Sequence, residues 1–160
     1  MLLRVWAKAA ARHVRVYTMR RMQRRAFVLV NRVLNVVVRR LRLRRFRGAD
    51  LLFLTTTGRK TGQARTTPLL YLADGDRWVV VASNGGADWE PGWWLNLQAG
   101  SAGTVKVGDV DTPVSGAEIS GAEREAWWRR LNDVVDYETY QRKVRRRIAV
   151  VALTPMSRES

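Results

Sequence analysis

Cysteine is absent from the 160-residue sequence, which excludes disulfides, thiolate nucleophiles and cysteine-ligated metals. Histidine occurs once, at His13, far in sequence from the other polar clusters, so no imidazole general base and no histidine-rich metal site is expected. Acidic residues are missing from the first 47 positions, which carry 15 of the 29 Lys and Arg side chains; the remainder balances 14 basic against 14 acidic residues. The net charge of +15 therefore describes an N-terminal segment and says nothing about the core. Long apolar runs are missing too. The run AFVLVNRVLNVVV is broken by Asn31, Arg32 and Asn35 and falls short of the ~20 residues that a membrane-spanning helix needs. It ends in no small-residue cleavage site, and the charged stretch ahead of it is longer than a signal-peptide head, so the expected location is the cytoplasm.

What is present is 46% apolar content, enough for one domain with a genuine core plus an appendage. Residues 1–47 read as a basic arm, 48–155 as the domain and 156–160 as a tail. On a helical projection Leu2, Trp6, Ala9, His13, Val16 and Tyr17 share one side, with Arg4, Lys8, Arg12 and Arg15 beside them. Such an amphipathic basic helix suits the inner face of an anionic membrane, or docks its stripe on the protein's own core or a second subunit. The following RRLRLRRFRG fits nucleic acid, acidic headgroups, a polyanionic ligand tail or simply a solvated face.

From Asp50 the pattern becomes short apolar runs between turn signals. Leu51 to Thr57, Thr66 to Ala73 and Arg77 to Ala82 read as antiparallel strands, with a hairpin at Asp74-Gly75. Asn84-Gly85-Gly86 interrupts the sheet, Pro91 opens the short helix GWWLNLQA, and Gly100 closes it. A second hairpin turns at Gly108-Asp109. Ser120 and Glu123 form a capping-box pattern ahead of a helix whose apolar face runs through Trp127, Leu131, Val134 and Val135. Tyr137 and Tyr140 lie one helical turn apart, and IAVVAL is a strand that pairs back into the sheet.

The stretch TTTGRKTGQAR combines hydroxyls (Thr55, Thr56, Thr57), permissive backbone (Gly58, Gly62) and cations (Arg59, Lys60, Arg65), as an anionic ligand requires. Its spacing is neither GxxxxGK[ST] nor GxGxxG, which rejects the common nucleotide loops. A tight solvated hairpin would look similar. The second loop, SNGG, and the WWLN helix add an amide and aromatic surface suited to a flat heterocycle with a polar edge, with at least one of Trp93 and Trp94 expected in the core.

Taken together, TTTGRKTGQAR, the hairpin, ASNGG, PGWWLNL and the closing IAVV strand resemble, in order and spacing, the deazaflavin-dependent nitroreductase and quinone reductase family. The resemblance runs from Asp50 to Leu153. It implies an α+β, mainly β architecture: an actinobacterial-type split β-barrel with flanking helices, here with the basic arm. It also implies coenzyme F420, with FMN as the lesser alternative, and hydride transfer to a quinone, nitro compound or similar electrophile. By position, Arg59, Lys60, Thr61, Gly62, Gln63 and Arg65 match the turn that holds the coenzyme phosphate and glutamate tail. Thr55, Thr56, Thr57 and Pro68 match positions near the ribityl chain and ring. Ala82, Ser83, Asn84, Gly85 and Gly86 match the loop over the deazaflavin, and Trp93 and Asn96 the helix closing the pocket. Ser83, Tyr137 and Tyr140 match the substrate-side hydroxyls that serve catalysis. Asn84 stands where members often carry lysine, and Leu70 and Val134 stand where one member has tyrosines.

Two other classes share these features: a carrier of F420, FMN or haem without turnover, and a nucleic-acid-binding protein using the arginine arm. No nucleic-acid recognition motif is present, which ranks the last of these third.

Overall fold

The computed structural model describes residues 45–46 and 49–156, with side chains placed from Asp50 onward. The amphipathic helix, the apolar run after it and the last residues of the tail lie outside the described residues.

Seven strands and three helices follow in the order β1 (Arg45–Phe46), β2 (Ala49–Thr57), β3 (Ala64–Asp74), β4 (Arg77–Val81), α1 (Gly92–Gln98), β5 (Gly103–Val107), β6 (Val110–Glu118), α2 (Gly121–Asn132), α3 (Tyr137–Lys143) and β7 (Val150–Pro155); a 3-10 turn, Asn84–Gly86, precedes α1. The sheet order is β1-β2-β3-β4-β7-β6-β5, and β2 also pairs with β5, so six strands close on themselves as an antiparallel barrel. Closure removes the open edges that an ordinary sheet exposes. This is the mainly β barrel with flanking helices that the sequence predicts.

Strand alternation distributes the apolar residues. On β2, Leu52, Leu54 and Thr56 are buried at 0%, 0% and 2% exposure, and they share one face by the two-residue period. β4 and β7 are apolar on both faces. Val80, Ala82, Val151 and Leu153 join the barrel interior, while Val79, Val81, Val150 and Ala152 face the layer of α2 and α3. That double burial is why IAVVAL carries no polar alternation. Trp127, Leu131 and Tyr137 complete the outer core from the helices.

Helix α1 fills the barrel interior with Trp93, Trp94 and Leu97, so both tryptophans of the WW pair are core. Small residues make room. A Cβ at Gly116 would sit 2.7 Å from Leu97 Cδ1, and one at Gly103 would sit 3.0 Å from Leu54 Cδ1. Pro91 is the residue before the first helical one, and its carbonyl accepts from Trp94 and Leu95. The helix ends in a Schellman arrangement: Ser101 N–H reaches the Asn96 carbonyl, Gly100 N–H reaches that of Leu97, and Gly100 takes φ 83°.

Two local expectations are corrected. Ser120 caps α2 without a side-chain hydrogen bond, and the Glu123 carboxylate pairs with Arg77 at 2.7 Å rather than reaching back to the Ser120 N–H. α2 also stops at Asn132, before Val134 and Val135, because Asp136 caps a separate helix by accepting from Thr139 N–H at 2.9 Å.

Candidate functional site

The β2–β3 connection is a turn that closes on itself. Gly58 N–H donates to the Gln63 carbonyl (2.8 Å), and the Gly58 carbonyl accepts from Thr61 and Gly62 N–H (3.1 and 2.7 Å). A Cβ at Gly58 would meet Thr61 Oγ1 at 2.8 Å, which explains glycine there, while Gly62 has φ 66°. Arg59, Lys60, Thr61, Gln63 and Arg65 are exposed around this turn, a cationic rim on a compact backbone. One side chain anchors it. Asn96 Oδ1 accepts from both the Arg59 main-chain N–H (3.2 Å) and Arg59 Nη1 (3.3 Å), and Asn96 Nδ2 donates to Thr56 Oγ1 (3.0 Å). Asn96 is 4% exposed, and three hydrogen bonds of its amide join β2, the turn and α1.

The three threonines separate by strand parity. Thr56 points inward to Asn96, while Thr55 shares a 2.7 Å hydrogen bond with Thr66 across β2–β3 and Thr57 is exposed. Pro68 is half-buried opposite Phe53. Trp93, at 5% exposure, is chiefly barrel core.

The second loop leaves β4 at Ala82, whose N–H donates to the Ala149 carbonyl. Asn84, Gly85 and Gly86 then adopt φ of 49°, 62° and 78° in succession. Such left-handed backbone strongly favours glycine and tolerates asparagine. Asn84 Nδ2 donates to the Trp89 carbonyl at 3.0 Å, so this side chain braces its own loop. Gly86 lies against Tyr140, where a Cβ would fall 3.3 Å from ring Cδ1. Tyr137 and Tyr140 pack edge to face with centroids 6.1 Å apart, and Lys143 Nζ lies 5.7 Å from the Tyr140 ring centroid. Burial first, and the neighbouring Tyr140 second, push the Tyr137 phenol up to about 12, so it holds its proton at neutral pH. Beside it, Leu70, Tyr71, Val134 and Val135 line a shallow apolar groove that Tyr137 closes.

The structure thus links Arg59 to α1 through Asn96, and the second loop to α3 through Gly86 and Tyr140. Among the described residues no side-chain hydrogen bond joins Ser83 to either tyrosine; Ser83 is half-buried at the loop's start. Sequence reasoning missed Arg146. Its guanidinium donates to the carbonyls of Ala82 (3.0 Å), Ser83 (3.1 Å) and Ala87 (3.2 Å) and pairs with Glu90 (3.1 Å). Burial raises the Glu90 carboxyl while Arg146 opposes that rise. In sequence Arg146 lies within the run RKVRRR, and only its position directly ahead of the buried IAVVAL strand hints that it meets the sheet's end.

A model of the F420H(2)-dependent quinone reductase family matches residues 23–155. An F420H(2)-dependent quinone reductase of Mycobacterium tuberculosis is 38% identical over 109 residues, covering 64% of this chain and 72% of the relative. Among solved structures, an F420-H2 dependent reductase aligns with TM-score 0.58 and 34% identity over 64% of this chain and 92% of its own. A chain described as a domain-swapped dimer aligns with the same TM-score and identity, over 64% and 78%. With the family match running through the barrel, both loops and all three helices, the chain belongs to the F420H(2)-dependent quinone reductase family.

Proposed function

We propose that this protein is an F420H2-dependent quinone reductase whose coenzyme lies along the Gly58–Gln63 turn and under the Ala82–Gly86 loop. The observation that carries the reading is the anchored cationic turn: Arg59 is held at two atoms by Asn96, with Lys60 and Arg65 exposed beside it. Preorganised cations of this kind suit a phosphate and a carboxylate tail, and they fit the donor set that such a coenzyme needs. Thr57 and the exposed face of Thr61 and Gln63 add neutral donors. The left-handed Asn84–Gly86 backbone lets a flat ring approach closely.

When bound, the reduced deazaflavin supplies a hydride. The chain's own residues bind the acceptor and manage its proton. Tyr140, half-buried beside Gly86, donates a hydrogen bond to the acceptor's oxygen, with Ser83 as a second hydroxyl at the same loop. Tyr137, buried and protonated, backs the Tyr140 ring and fixes its orientation. The apolar side chains of Leu70, Val134 and Tyr137 lie on the acceptor side of the same helix, α3. Nitro compounds are a further acceptor class for the same donors, and residues 1–47 are the proposed contact with an anionic membrane surface.

The test is a fluorescence titration with F420, FMN in parallel, followed by quinone reduction with F420H2. Saturable F420 binding that weakens on replacing Arg59 and Lys60 with Ser, together with turnover, is the expected result. Binding without turnover would make the protein a carrier, and a preference for FMN would overturn the assignment.

A further inference from the structure

We propose that Arg146 is the positioning residue of the site: it sets the shape of the Ala82–Glu90 loop and ties it to the helix that carries Tyr140. The reading that this loop covers the coenzyme is taken from the proposed function. The local shape of the loop is the reason it needs such a residue. Three successive left-handed residues turn the chain sharply, and the backbone bonds within the turn are Gly86 N–H to the Ser83 carbonyl and Ala87 N–H to that of Asn84. Those two bonds leave the Ala82 and Ala87 carbonyls without a donor from the turn, and the Ser83 carbonyl with one lone pair to spare.

One guanidinium meets them. Nη2 donates to Ala82 and Ser83, Nε to Ala87, and Nη1 to the Glu90 carboxylate, so one planar fork touches the loop at its start, middle and end. The Arg146 side chain is 14% exposed, which strengthens each bond relative to a solvated pair. Lysine cannot replace this, because its ammonium is a compact donor without the fork.

Arg146 is itself fixed from α3. Gln141 Nε2 donates to the Arg146 carbonyl (2.8 Å), and Gln141 Oε1 accepts from Ile148 N–H (2.9 Å). Gln141 follows Tyr140 directly in the chain, so the residue that holds Arg146 and the phenol that contacts Gly86 move as one piece. Arg146 thereby registers the loop against Tyr140, setting the distance between the ring site and the acceptor-side hydroxyl without touching either ligand.

The experiment compares the parent, Arg146→Lys and a barrel-core control, Val114→Ala, by amide hydrogen exchange and by F420 titration. In Arg146→Lys, exchange over residues 82–90 should accelerate and the F420 Kd should rise about tenfold. Val114→Ala should lower the melting temperature without that local acceleration. Unchanged exchange over 82–90 in a folded Arg146→Lys protein overturns the proposal. Should Arg146→Lys not fold, Glu90→Ala removes one of the four acceptors, and Gln141→Ala frees the Arg146 main chain. Both should give the same signature at smaller amplitude, and its absence from both overturns the proposal. A parent that binds no F420 defeats the functional reading instead, and the exchange comparison then decides the proposal by itself.

Discussion

At the scale of single residues, burial decides what each polar side chain can do. Tyr137 is the clearest case, with a phenol pushed up to about 12. A raised folded-state value means that the stability contribution is fully present below the ordinary tyrosine value near 10 and is lost as pH rises through about 12. That rise corresponds to about 3 kcal/mol. Denaturant unfolding at a series of alkaline pH values should show a steep loss in the parent and a shallower one in Tyr137→Phe. Equal slopes would mean that the phenol is hydrated. Tyr71 shifts in the same direction through burial and the nearby Asp50, so the difference between the two proteins isolates Tyr137. The cationic turn was legible from its residue types, but grouping Thr55, Thr56 and Thr57 as one set of hydroxyls passed over the strand parity that turns Thr56 inward to Asn96. Arg146 was not legible, since its acceptors arrive from 59 and 64 positions upstream and a run of arginines looks the same whether solvated or buried.

At the scale of elements, α1 transmits packing into the cationic turn. Leu97 fills the space above Gly116, and the preceding residue, Asn96, grips Arg59. Gly116→Ala would place its Cβ 2.7 Å from Leu97 Cδ1. Overpacking of this kind costs about 1–3 kcal/mol and displaces α1, so both the melting temperature and the affinity for F420 should fall. Gly92→Ala, on the same helix with no heavy atom within 4 Å of the added Cβ, should leave both unchanged. Equal effects from the two substitutions would refute the transmission. Strands, hairpins and α1 were legible because their signals are local: period-two alternation, Gly75 and Pro91. The break between α2 and α3 was not, because apolar residues continue through Val134 and Val135 while the stop comes from Asp136 capping the next helix. Glu123 likewise had two partners available, and the distant Arg77 prevailed over the cap.

At the scale of the whole molecule, charge and fold divide along the chain. The described barrel sits in the part where basic and acidic residues balance, while the excess lies in residues 1–47. Full-length protein should therefore bind anionic vesicles in a manner that weakens with salt, and a chain lacking 1–47 should lose that binding. Retained binding after the deletion would assign the contact to the barrel. Strand content was readable from local pattern, whereas closure was legible only through the family resemblance: the β2–β5 pairing joins Phe53 to Lys106 and depends on how far the sheet curls, which no local pattern encodes. The insertion of β7 between β4 and β6 has a consequence for biosynthesis. β7 follows every other barrel strand in sequence, so until it has emerged the nascent chain carries two unpaired strand edges, those of β4 and β6. Closing the ring then waits on slow, non-local pairings, and a chain cut short before Val150 would display the two edges that the finished protein conceals.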